Sequence, residues 1–176
     1  MKKSVLFVLF LAVLVLNCAG SGEFEVLPGN PPVIHDSYAP RVIRPGAIWR
    51  VYLHVEDYDG DMKEIVALLT QTGSAPFPTH YTKLKGEDSK EVAGYLYLST
   101  PNDIAILGDR FQVELLVRDQ RDNTSEPITF SLRFDFGQPQ EEIPEKWKGQ
   151  ANRKLGYITN EHISPSQGRP TRGDGL

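Results

Sequence analysis

"AIWRVYLHVED", residues 47–57, alternates with a period of two. Trp49, Val51, Leu53 and Val55 fall on one side of an extended chain, and Arg50, Tyr52 and His54 on the other. Successive side chains of a strand point to opposite faces, so the stretch predicts a strand with an apolar inner face and a polar outer one. The same rhythm returns in "RFQVELLVRD" (110–119) and "PITFSLRFDF" (127–136). "EVAGYLYLS" (91–99) aligns Val92, Gly94, Leu96 and Leu98 on one face. "EIVALLTQ" (64–71) is apolar almost throughout, and its β-branched residues and flanking turns favour a strand over a short helix. "THYTKLK" (79–85) carries Lys83 and Lys85, as suits an edge strand guarded against pairing.

With an early strand before residue 43, the pattern predicts seven strands: Val33–Val42, Ile48–Glu56, Lys63–Thr70, His80–Lys85, Glu91–Ser99, Arg110–Arg118 and Pro127–Phe136. About seven short strands in roughly a hundred residues, spaced by turns, describe an all-β, immunoglobulin-like antiparallel sandwich. "RPGAIWRVYLHVEDYDGDMKEI" (44–65) and "GDRFQVELLVRDQRDNTSEP" (108–127) resemble the immunoglobulin-like and cadherin-like domains of bacterial envelope proteins. The resemblance spans residues 32–136 and implies a fold rather than an activity.

The ends differ from this body. Lys2 and Lys3 precede an unbroken apolar run from Val5 to Leu16, which reads as a secretory signal, too short for a membrane span of about 20 residues. Two cleavage sites fit. One lies after Cys18-Ala19-Gly20 and would discard the thiol. The other follows from "VLNC", which resembles the lipobox of bacterial lipoproteins, with Asn17 where Gly or Ala is usual. That resemblance implies cleavage before Cys18 and acylation of its thiol. Ala19 in the next position implies passage to the outer membrane. A lone cysteine consumed by a lipid is easier to explain than a lone free thiol in a secreted chain, and two or three acyl chains anchor firmly where one does not.

The expected organisation is thus a signal peptide (1–17), a lipidated tether (18–31), the sandwich (32–136) and a largely disordered, flexible tail (137–176). The tether's fourteen residues reach at most ~45 Å. Within the tail, Trp147 and Tyr157 stand out as aromatic groups able to dock on a surface.

Charge bounds the partners. The chain holds 19 basic and 23 acidic residues, a net charge of −4, and losing Lys2 and Lys3 with the signal takes this to −6. No basic footprint for phosphate exists, so nucleic acid is not an expected partner. No nucleophile elbow, zinc-protease helix or phosphate-binding loop occurs, so no catalytic residue is assigned and a non-enzymatic role is expected.

Two constellations remain. "EDYDGDM" (56–62) offers Asp57, Asp59 and Asp61, and Asp119 and Asp122 follow the strand whose loop shares the same end of such a sandwich. Five carboxylates there would suit calcium, although Asp and Gly also recur in turns for purely local reasons. Beyond calcium, no cofactor is expected. Tyr52, Tyr95 and Tyr97 point away from the core of neighbouring strands, forming an aromatic face that would stack a glycan, take Trp147 or Tyr157 from the tail, meet another envelope protein, or simply pack across the strands. The four histidines, His35, His54, His80 and His162, show no ligand spacing. The leading expectation is a lipid-anchored envelope adaptor or accessory subunit; the alternative is a surface module for calcium or carbohydrate.

Overall fold

A computed structural model describes residues 29–137 and 142–166; the signal, Cys18 and nearly all of the tether lie outside the described residues. The described residues form nine strands: β1 Val33–Tyr38, β2 Val42–Ile43, β3 Ile48–Glu56, β4 Met62–Gln71, β5 His80–Lys83, β6 Glu91–Ser99, β7 Arg110–Asp119, β8 Ile128–Phe134 and β9 Lys154–Tyr157. They make two sheets, β1-β3-β6-β9 and β2-β8-β7-β4-β5. This is the immunoglobulin-like sandwich the alternating pattern predicts. Trp49, Val51, Leu53 and Val55 of β3 are fully buried, facing Ile65, Ala67 and Leu69 of β4 and Val113, Leu115 and Val117 of β7. No helix among the described residues is long and apolar enough to cross a membrane.

Three features depart from expectation. The first strand divides. β1 pairs antiparallel with β3, while β2 crosses to the other sheet and runs parallel to β8. Ala39 and Pro40 lie at the crossing, where proline lacks a donor for either ladder, and the buried Trp49 indole donates to the Pro40 carbonyl at 2.6 Å, pinning the switch. The strand at His80 stops at Lys83, short of the expected Lys85, and pairs with β4 in the five-stranded sheet.

The third departure is the place beside β6, which is taken by the tail. Residues 142–166 are ordered, correcting the expectation of disorder for that part. A single helical turn, Glu145–Lys148, is followed by β9, which lies parallel to β6. The physical reason is a gap left for it. Gly94 of β6 has no side chain, and a Cβ there would sit 2.6 Å from the Arg153 carbonyl oxygen and 2.8 Å from Leu155. Gly156 likewise lets β9 approach Thr82 of β5, since a Cβ would fall 2.3 Å from its hydroxyl. Beyond β9, Ile158 and Ile163 enter the core at 0% and 2% exposure.

Polar contacts fasten this belt along its length. Lys146 Nζ reaches Asp36 at 2.6 Å, Arg153 pairs with Asp88, and Gln71 Nε2 donates to the Ser164 carbonyl at 3.0 Å. Asp109 accepts from both the amide and the hydroxyl of Ser166, at 2.9 and 2.6 Å.

Candidate functional site

The loops after β3 and β7 do meet at one end of the sandwich, and their carboxylates are largely engaged in building them. Asp57, 2% exposed, accepts from the amides of Asp59 and Asp61 at 3.0 and 3.1 Å. Gly60 turns this loop at φ +71°, a conformation costly for other residues. Asp119, fully buried, accepts from the amides of Arg121 and Asn123, both at 2.8 Å, and from the Asn123 side chain at 2.8 Å.

The five aspartates do not converge. Asp122 adopts φ +64°, which Asp tolerates better than most residues, and turns to Lys63 at 3.2 Å and Arg118 at 3.7 Å. Into the place a cation would take comes the Arg121 guanidinium, 3.1 Å from Asp59 and 3.6 Å from Asp61. Asn30 donates twice more to Asp59. Those two bonds, chiefly the one from the Asn30 side chain, hold the Asp59 carboxyl below its ordinary range.

Asp61 is the exception. Its Oδ1 is buried without a hydrogen-bond partner, and desolvation, with Asp57 and Asp119 nearby, pushes its pKa up despite Arg121. A raised carboxyl pKa means that ionisation opposes folding. The cost is fully felt above the folded pKa and disappears below the ordinary 3.8. Asp61→Asn is therefore expected to raise Tm at neutral pH and to lose that advantage in acid, as thermal scans over pH would read. A calcium-dependent rise in the native Tm that Asp61→Asn abolishes would instead establish a metal here.

The tyrosine face is partly covered. Tyr52 is fully buried, with the Trp147 ring 5.5 Å from its own, centroid to centroid, and Tyr95 at 5.7 Å. Tyr157 lies against Tyr97 at 4.7 Å, and Lys154 caps both rings. A hydrogen bond that the Tyr97 hydroxyl donates to Tyr157, then burial, holds the Tyr97 phenol above its usual range. Of the possible occupants, the chain's own tail is the one in place. The exposed platform expected from the sequence is reduced in this arrangement: Trp147 covers Tyr52, while Tyr95 and Tyr97 stay half-buried with β9 alongside.

A site missed in the sequence lies on the same sheet, nearer the Asp57 end. His54 and Glu56 project outward from β3, and Glu91 is the residue directly opposite Glu56 on β6. His54 Nε2 is 3.0 Å from Glu91 Oε1 and 3.8 Å from Glu56 Oε1. His35 sits at a bulge of β1, with its Nε2 3.1 Å from Glu56 Oε2 and its ring 5.8 Å from that of His54. Spacing along the chain gave no sign of this, because the grouping depends on cross-strand register and on one bulge.

The outer side of the five-stranded sheet is a second exposed face. Half-buried Val66, Leu68 and Leu116 alternate there with exposed Gln112, Glu114, Thr129 and Ser131. At its edge, Glu64 is buried at 1% and held by Arg118 and Lys83, while Tyr81 stands 47% exposed beneath the Arg118 guanidinium.

These features define a class, an immunoglobulin-like sandwich whose four-stranded sheet is completed at its edge and partly covered by the chain's own tail. No family model matches the chain, and no curated protein matches it. Similar solved structures include the PKD domain of an M14-like peptidase from a Thermoplasmatales archaeon, with 16% identity and a TM-score of 0.41 over 62% of this chain and 100% of that one. Another is a mutant of the SrpA adhesin of Streptococcus sanguinis, with 18% identity and a TM-score of 0.40 over 61% of this chain and 57% of that one. A Niemann-Pick type C2 protein from the Japanese carpenter ant gives 11% identity and a TM-score of 0.40 over 62% and 96% of the two chains.

Proposed function

We propose that the protein is a lipid-anchored, non-enzymatic envelope lipoprotein that serves as an accessory subunit, binding a protein partner through the open five-stranded sheet. The observation that carries this reading is the asymmetry of the two outer faces. One is partly covered by the chain's own tail and carries the charged His54 group, whereas the other presents alternating polar and half-buried apolar groups. Surfaces of mixed character with an aromatic and an arginine at the edge suit protein contacts. The tether leads into this sandwich at Gly29 and Asn30, beside Asp59 and Arg121, so an anchor at Cys18 would turn the aspartate loops toward the membrane. The strands of the open sheet would then rise from that surface, leaving the sheet available from the side.

Two measurements test the two halves of the proposal. Incorporation of labelled palmitate in cells, lost in Cys18→Ser, tests the anchor, and an unlabelled wild type overturns it. A photo-cross-linking side chain at Leu116 should capture one discrete envelope protein, while the same probe at Tyr157 should not. Equal capture from both positions, or none from Leu116, overturns the assignment of the face. Shortening the chain would not serve, since the tail is part of the fold.

A further inference from the structure

We infer that His54, Glu56 and Glu91, with His35 beside them, form a surface site for a divalent transition ion of the zinc class. Three observations converge. The first is ligand chemistry: imidazole nitrogens with carboxylates suit zinc and its neighbours, whereas calcium and magnesium favour all-oxygen sets. The second is spacing. One ligand atom each from His54, Glu56 and Glu91 can be chosen so that all three lie within 4.8 Å of one another. Two ligands at zinc-bond lengths in a tetrahedron stand roughly 3.3 Å apart, and the contacts of 3.0, 3.1 and 3.8 Å bracket that edge.

The third observation is electrostatic. Glu56 and Glu91 are directly paired across β3 and β6, and like charges so placed repel unless something positive sits between them. His54 occupies that position, with an imidazole that can either carry a proton or bind a metal. The bulge in β1 supplies His35 from the third strand, so the group comes from three strands held by main-chain ladders and needs no loop to close. A cleft of about 360 Å³ bordered by His35, Glu56 and Glu91, though not by His54, opens to solvent beside the group.

The test uses the full chain without an affinity tag. Zinc is titrated by calorimetry, and cobalt(II) by the intense visible bands of a tetrahedral complex. One equivalent with micromolar or tighter affinity is expected, and His54→Ala and Glu91→Gln should each weaken it by about tenfold or more. His80→Ala and His162→Ala should leave it unchanged, and far-UV circular dichroism should be the same for every variant because His54 and Glu91 point outward. Affinity no better than millimolar, an unaltered His54→Ala, or equal losses from the His80→Ala control would overturn the site.

Discussion

A chain stopped after Phe136 is expected to lose the cooperative melting transition of the intact protein, or to melt far below it. The deleted segment contributes Trp147, Ile158 and Ile163, all nearly or fully buried. Burying a side chain of this size stabilises by about 1.5–3 kcal/mol, so three of them approach the whole stability of an ordinary domain, about 5–15 kcal/mol. Their removal also bares the Tyr52 ring and leaves β6 as an unprotected edge. The orphaned Tyr52 hydroxyl and Trp147 indole N–H offset part of the gain, each at about 1–3 kcal/mol. Two full-length variants separate this from a mere effect of shortening. Ile158→Ala should cost about 2–5 kcal/mol by leaving a cavity. Gly94→Val should displace β9, since its Cβ would meet the backbone carbonyl of Arg153. If all three melt like the wild type, the belt is not part of the fold.

The second large effect is expected at Arg118. Glu64 is an almost fully buried carboxylate held from two sides by Arg118 and Lys83, and Lys83 is itself mostly exposed. Removing one partner of a buried pair is costly because a charge is left behind. Arg118→Ala should lower the unfolding free energy, read from chemical denaturation, because Lys83 alone is left to hold the buried carboxylate. Burial acts to raise the Glu64 pKa, but the hydrogen bonds from Lys83 and Arg118 prevail and lower it below 4.5. A depressed folded pKa gives stability that is complete above the ordinary value and is lost as pH falls through the folded one. The Arg118→Ala deficit should therefore be largest near neutrality and shrink below about pH 4. Adding Glu64→Gln should recover part of it, because no buried charge then remains. A deficit indifferent to both pH and Glu64→Gln would mean that Arg118 acts only by packing on Tyr81.

Legibility in the sequence followed how local each signal was. β3 and β6 occupy the residues that their alternation predicts, because turns bound both runs and one face is wholly apolar. The neighbouring aspartate loops were foreseeable from the topology alone, and Asp57 and Asp119 do lie at one end. The direction of Asp122 was not, since it hangs on one positive φ. β9 was hidden for a different reason. "KLGY" has neither length nor alternation, and its strand form depends on a glycine sixty residues earlier that leaves room for Leu155. The His54 cluster needed the register of three strands, which no spacing rule along one strand supplies.

The order of attachment has a mechanical consequence. The described chain enters through Gly29 and Asn30, clasped to the aspartate loops, and passes directly into β1, whose Val33 stands opposite Glu56 at that same end. A pull arriving from this terminus acts along the β1 axis, while the ladder joining β1 to β3 lies across it. Such a load shears the whole ladder at once instead of peeling it bond by bond. Before the force reaches β1, it must part the Asn30–Asp59 hydrogen bonds, and the neighbouring Arg121–Asp59 pair braces the same carboxylate against it. Under such a load the aspartate loops would act as the fastening, holding the entry point to the body of the sandwich.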